Sequence, residues 1–152
     1  MQALTLTTLQ LKAALQATEG EDVPERTLAW WAANGIVTPS VRQSKGIGIE
    51  SVTNGHIFNL ADLAKARLVV QLRRGGISLQ RIRLILSFLE RREFRDVLKP
   101  TTRAKLVVHG RQVFVIRPGE PDVEAPSGQI RLQLSAVWKG TQEAAHAAKR
   151  AA

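Results

Sequence analysis

Arginine is the most frequent titratable side chain in this 152-residue chain. Lysine and arginine number 22 against 13 aspartates and glutamates, a formal net charge of +9, and 15 of the 22 are arginine. The planar guanidinium of arginine suits phosphates and guanine edges. The excess lies in residues 63–117, whose net charge is +11. The net charge of residues 1–62 is −2, and that of residues 118–152 is zero. Such a stretch is either a solvated helix face or a nucleic-acid footprint.

Several classes of site are excluded or disfavoured. The chain has no cysteine, which rules out disulfides, thiolate metal sites and thiol catalysis. Its three histidines, His56, His109 and His146, are far apart in sequence, so we expect no metal and no other cofactor. No paired carboxylates and no Ser/His/Asp set stand out, and Gly46-Ile47-Gly48 lacks the strand–helix context of a phosphate-cradling loop. We therefore expect a protein that is not an enzyme.

No apolar run reaches the roughly 18 residues of a membrane span, and the first 20 residues lack a basic start followed by an apolar block. The sequence therefore predicts a cytoplasmic protein with no membrane partner.

The first third of the chain predicts two short helices and a hairpin. Apolar spacing favours a helix over 7–18, which Gly20 ends, and a second over 24–33 that Pro24 opens and Asn34-Gly35 ends. Two short helices joined by a tight turn have the outline of a helix-turn-helix. Between residues 37 and 58, glycines alternate with β-forming residues, which predicts a hairpin with a long tip.

Two further helices and a strand-rich region are expected next. Asn59 and Asp62 have the spacing of a capping box at the start of a helix over 60–74, Gly75-Gly76 breaks it, and Ser78 caps another over 79–95. After Pro100, residues 105–116 and 129–138 have β-like patterns. The last dozen residues are alanine-rich, which predicts a frayed helix or a disordered tail.

Three stretches in this order carry a resemblance to a known family. They are Asp62-Leu63 through Leu72-Arg73 with Gly76 to Ile82; Thr27 to Trp31 with Asn34 to Val37 and Pro39; and His56-Ile57-Phe58. Across about residues 7–90 the chain resembles the N-terminal winged-helix domain of the MerR family of transcription regulators. Ala29 departs from the arginine that the family usually has there, and His56 departs from its wing arginine.

The resemblance implies an α+β fold, a MerR-like winged helix-turn-helix followed by a small strand-rich C-terminal segment. The expected division is a DNA-binding domain over 1–98, a β-rich dimerisation or partner-binding segment over 99–140, and a flexible tail over 141–152. That segment is loosely similar to the region after the winged helix in MerR-like antitoxins of toxin–antitoxin pairs.

The resemblance also implies that helix 24–33 enters the major groove and that a wing over 41–57 lies alongside. Arg26 would contact a base or phosphate, Thr27 a phosphate or a thymine methyl, and Trp30 would pack the wing or lie on a sugar-phosphate. The predicted DNA-binding residues are Glu25, Arg26, Thr27, Trp30, Arg42, Gln43, Ser44, Lys45, His56, Arg67, Arg73 and Arg74.

Three functions stay open at this stage. The first is a homodimeric transcription regulator that binds double-stranded DNA in a sequence-specific way. The second is an antitoxin that represses its own operon and binds a toxin through its C-terminal part. The third is a protein-interaction module that has lost DNA binding, which the departures at Ala29 and His56 would fit.

Overall fold

The protein is α+β, with five helices and two small antiparallel sheets in the part of the chain that the structure describes. That part comprises residues 4–39, 41–42, 56–91, 103–109, 112–120 and 130–151 of a computed structural model. The helices are α1 (Thr8–Glu19), α2 (Glu25–Ala33), α3 (Leu60–Arg74), α4 (Leu79–Arg91) and α5 (Leu134–Ala151). The strands are β1 (Thr5–Thr7), β2 (Val41–Arg42), β3 (His56–Asn59), β4 (Lys105–His109), β5 (Gln112–Ile116) and β6 (Ile130–Gln133).

Local signals fix the ends of α3 where the sequence predicts them. The Asp62 backbone N–H donates to Asn59 Oδ1 at 2.8 Å, and the Asn59 N–H donates to Asp62 Oδ2 at 2.9 Å. This reciprocal capping box satisfies two donors that a helix start leaves open. The helix ends before Gly76, whose φ of +89° is a conformation that glycine adopts without strain. The prediction of a helix over 60–74 is confirmed.

The first sheet has the order β1–β3–β2, with β3 in the centre. Leu6 on β1 lies opposite Phe58 on β3, and both are 1% exposed, so the sheet buries an apolar pair against the helices. The predicted hairpin is present as the β2–β3 pair, whose tip lies outside the described residues. Strand β1 was not predicted, because three residues are too short a run to show a β-strand alternation.

The second sheet has the order β5–β4–β6, and it packs on the helices. Leu106 and Val108 of β4 are buried in the same apolar cluster as Leu11 of α1 and Leu63 of α3. The side chain of Ile130 packs on the turn after α3, where a Cβ on Gly75 would clash with Ile130 Cδ1. One hydrophobic core therefore extends across the predicted boundary at residue 98.

The predictions for the C-terminus hold in part. The predicted strand over 129–138 ends at Gln133. Of the two alternatives for the last dozen residues, a frayed helix or a disordered tail, the structure has a helix, which begins at Leu134 and is 18 residues long. Its buried residues recur every three or four positions, as one face of a helix requires: Leu134, Val137, Thr141, Ala144, Ala145 and Ala148. Small alanine side chains carry a weak hydrophobic signal in sequence, yet they allow α5 to lie close against α1 and α3.

Arg67 connects these three helices. It is only 8% exposed, and its Nε donates to Glu19 Oε2 of α1 at 2.9 Å. Its Nη1 donates to the Val137 carbonyl of α5 at 2.5 Å and to Thr141 Oγ1 at 3.1 Å. A Cβ on Gly140 would lie 2.9 Å from Arg67 Nη1, so the absence of a side chain there lets α5 approach the guanidinium.

Replacing Arg67 with methionine should lower the free energy of unfolding by about 3 kcal/mol, because a buried ion pair is broken from one side. Urea unfolding followed by circular dichroism measures the change. Arg74→Met is the matched control, since Arg74 also binds Glu19 but its side chain is 46% exposed. We expect a loss below about 1 kcal/mol for the control. Equal losses for the two variants would contradict the central role of Arg67.

Candidate nucleic-acid interface

Helix α2 is held by one face and leaves the other in solvent. Leu28, Trp31 and Ala32 are buried and attach the helix to the core. Arg26 and Trp30 lie one turn apart on the opposite side, where Arg26 is exposed and Trp30 is 49% exposed. A large aromatic ring with half of its surface in water is a common feature of binding faces.

The start of α2 differs slightly from the sequence prediction. Pro24 is the capping residue just before the helix, and its carbonyl accepts from the N–H groups of Thr27 at 2.9 Å and Leu28 at 3.1 Å. Glu25 is therefore the first helical residue, half-buried at the positive end of the helix. The short segment 21–24 joins α1 to α2 and directs the first turn of α2 outward.

The first turn of α2 borders a cleft of about 440 Å³. Arg26, Thr27 and Trp30 line it from α2, and Arg73 lines it from the end of α3. The apolar part of the lining consists of Val23, Pro24, Trp31, Val70 and Leu79. The cleft thus joins an aromatic surface to two guanidinium groups, a combination that can stack on a ring or sugar and bind a phosphate.

Ion pairs determine which cations at this cleft are available. Glu21 and Asp22 also line it, but Asp22 pairs with Lys12 at 3.3 Å and Glu21 pairs with Arg74 at 3.5 Å. Neither Arg26 nor Arg73 forms an ion pair with any acidic group in the described ranges, and both are exposed. Among the described residues, these two guanidinium groups therefore reach solvent without an ion-pair partner.

Four of the predicted contact residues, Arg26, Thr27, Trp30 and Arg73, meet at this one cleft. Glu25 lies beside them at the same helix end. Arg42 and His56 occupy opposite positions on β2 and β3; the structure describes their backbone and not their side chains. The predicted wing residues Gln43, Ser44 and Lys45 also lie outside the described residues.

Two predicted contacts have other roles. Arg67 as a DNA contact is wrong, because its guanidinium is buried between α1, α3 and α5. Arg74 is half-exposed, but its charge is already balanced by Glu19 and Glu21. In sequence, Arg67, Arg73 and Arg74 are indistinguishable members of one basic run, since only the packing of α5 sets Arg67 apart.

Arg83 of α4 is a cation that the sequence reasoning did not select. Its Nη2 would lie 3.8 Å from a Cβ on Gly35, which follows the C-terminal end of α2. A cation near that end of a helix is favourable because the carbonyl groups there carry partial negative charge. No local signal connects Arg83 to Gly35, because 48 positions separate them in the chain.

Within the ranges described, no group of three or more His, Cys, Asp or Glu side chains could hold a metal ion. No helix there is long and apolar enough to cross a membrane. A comparison with models of protein families gave no match, and a comparison with curated protein sequences gave none either.

The two adjacent tryptophans of α2 should respond very differently to truncation. Trp31→Ala should lower the free energy of unfolding by about 3–5 kcal/mol, because it removes a buried aromatic ring. Trp30→Ala is the matched control and should change it by less than about 1 kcal/mol, because its ring is half in water. Urea unfolding followed by far-UV circular dichroism measures both. A larger loss for Trp30 would place the outward face of α2 in the core.

Proposed function

We propose that the protein is a sequence-specific transcription regulator that binds double-stranded DNA, with α2 in the major groove. The observation that carries the proposal is the solvent-facing first turn of α2, where Arg26, Thr27 and Trp30 meet Arg73 of α3 at one cleft. Side chains at the start of a recognition helix are the ones that reach base edges in helix-turn-helix proteins.

The dimensions of α2 support this role. An α-helix with its side chains is about 10–12 Å across, which matches the ~12 Å width of the major groove. The nine residues of α2 give it a length of roughly 13 Å, enough for its first turn to reach base edges. Arg26 would bind a base edge or a phosphate, and Thr27 a phosphate or a thymine methyl. Arg73 would bind a phosphate beside the groove, and the Trp30 ring would lie on a sugar.

The order of the elements also supports a winged helix-turn-helix. Helices α1 and α2 are followed by the antiparallel β2–β3 pair and then by α3. A wing formed by β2, β3 and the chain between them would approach the DNA backbone next to α2. Arg42 and His56, opposite each other at its base, are the positions from which the wing would begin.

Selection of bound duplexes from a random DNA library tests the proposal. The expected result is an enriched inverted repeat, and the spacing of its half-sites reports the distance between two recognition helices. Titration of the selected duplex at several salt concentrations then gives the number of phosphates that the protein neutralises. A salt-sensitive pool without an enriched motif would overturn sequence recognition. It would favour the protein-interaction module, for which capture of a protein partner is the next experiment.

Arg26→Ala should weaken binding to the selected duplex by about 1–3 kcal/mol if Arg26 reads a base, with a smaller effect on random duplexes. Arg73→Ala should weaken binding to both and reduce the slope of log K against log salt by about 1. The matched control is Arg150→Ala, which removes an exposed arginine from the last turn of α5 and should leave affinity unchanged. Equal losses of affinity from all three variants would mean that binding depends only on overall charge.

We further propose that the DNA-bound form is a homodimer, because one short helix reads few base pairs and two half-sites multiply specificity. Leu84 of α4 is 65% exposed, and this large apolar side chain is the candidate for the contact between two copies.

Leu84→Glu should therefore convert the dimer to a monomer, as measured by analytical ultracentrifugation. Leu9→Glu is the control, because Leu9 of α1 is 63% exposed and lies outside α4. A protein that is monomeric before substitution, or a dimer that only Leu9→Glu dissociates, would contradict the role of α4.

A further inference from the structure

A second cleft, of about 600 Å³, lies where the second sheet meets the start of α5. Four of its lining residues are basic: Arg103, Lys105, Arg117 and Lys139. Ile116, Pro118 and Ala136 contribute apolar surface between them. It shares no lining residue with the cleft at α2.

The register of the sheet brings these cations together. Lys105 of β4 lies opposite Ile116 of β5 on one side and Gln133 of β6 on the other, so three strand ends form one row. Arg103 comes just before this row and Arg117 just after it. Beyond Gln133 the chain turns into α5, which adds Lys139. The cluster therefore combines residues from 103 to 139 that no single basic run contains.

The charge of this cleft is poorly compensated. Glu120 is the acidic residue in the lining, and its Oε2 accepts from the backbone N–H of Arg117 at 3.4 Å. Arg103, Arg117 and Lys139 form no ion pair with an acidic group of the residues described. Like charges gathered at a concave surface raise the local potential and attract anions.

The backbone at Arg103 is held in an unusual conformation. Its φ of +49° makes it the non-glycine residue in the left-handed region among those described. A side chain with a Cβ rarely adopts this region, which persists where the surrounding structure imposes it. Here the next residue, Ala104, is fully buried, and its carbonyl accepts from the Leu134 N–H at 3.0 Å. Arg103 lines the cleft from this position.

We propose that this cleft binds a small organic phosphate ester of the size of a nucleoside triphosphate. One guanidinium group can donate two parallel hydrogen bonds to a phosphate. The three cations that have no ion pair among the described residues match a chain of phosphates. The apolar surface of Ile116, Pro118 and Ala136 would contact the organic part, and the volume falls within the range typical of small-molecule sites, about 300–1,000 Å³. A concave pocket favours a small ligand over a second contact to duplex DNA.

Isothermal titration of the DNA-free full chain with ATP, GTP and inorganic tripolyphosphate tests the proposal, with adenosine as the uncharged comparison. The expected result is saturable binding of a nucleotide at least tenfold tighter than that of tripolyphosphate, and no binding of adenosine. If tripolyphosphate binds as tightly as the nucleotides, the proposed contact with the organic part of the ligand is wrong. If adenosine binds as tightly as ATP, the proposed role of the phosphates is wrong. Absence of binding by all three phosphates would overturn the whole proposal. No DNA is present, so failure of the DNA-binding proposal leaves this test intact. Nucleotide binding that Arg26→Ala abolishes would place the ligand at the α2 cleft and overturn the proposal.

Variants locate the site. Arg117→Gln combined with Lys139→Gln should weaken nucleotide binding at least tenfold. The matched control combines Lys149→Gln with Arg150→Gln, which removes two exposed cations from the far end of α5 and should leave affinity within twofold. Equal weakening by both pairs would reduce binding to overall charge and overturn the site.

Arg103→Gly separates strain from binding. Glycine adopts positive φ freely, so Tm should rise by about 2–4 °C while nucleotide affinity falls several-fold. Unchanged affinity in this variant would remove Arg103 from the site.

Discussion

The buried arrangement of Glu19 and Arg67 is the constraint on which the rest of the structure depends. The Glu19 side chain is 4% exposed, and it accepts from Arg67, Gln71 and Arg74 of α3. Arg67 then reaches the Val137 carbonyl and Thr141 on α5. Burying a carboxylate and a guanidinium is unfavourable unless every remaining donor and acceptor has a partner. The partners exist only when α1, α3 and α5 are all in place, so the two ends of the chain are coupled in folding.

Both clefts derive their geometry from this arrangement. Helix α1 fixed against α3 gives a surface on which Leu28 and Trp31 of α2 pack, and that packing turns Arg26 and Trp30 outward. Helix α5 fixed against Arg67 sets the position of its first turns, which carry Ala136 and Lys139 to the second cleft. A single internal network therefore positions both the cleft at α2 and the second cleft.

The central basic stretch does not form one continuous footprint. Within the described part of that stretch, Arg67 is buried, Lys65 pairs with Glu90, and Arg74 pairs with acidic residues of α1 and the turn after it. Arg73 faces the α2 cleft, whereas Arg103, Lys105 and Arg117 face the other cleft. The net charge of a segment is thus a weak guide to where a polyanion binds, because partners distant in sequence neutralise some cations and gather others.

The sequence alone determined the features that rest on local interactions. The bounds of α3 follow from the Asn59–Asp62 capping box, the glycines after the helix and its stripe of buried leucines. The inward and outward faces of α2 follow from the spacing of its apolar residues. Tertiary structure decided the rest: α5 in place of a tail, strand β1, the burial of Arg67 and the assembly of four cations at one cleft. Helix caps and apolar periodicity depend on residues a few positions apart, so a short stretch of sequence is enough to predict them. Alanine burial and the partner of an arginine depend on which surfaces meet, and that is fixed only when segments more than 40 residues apart pack together.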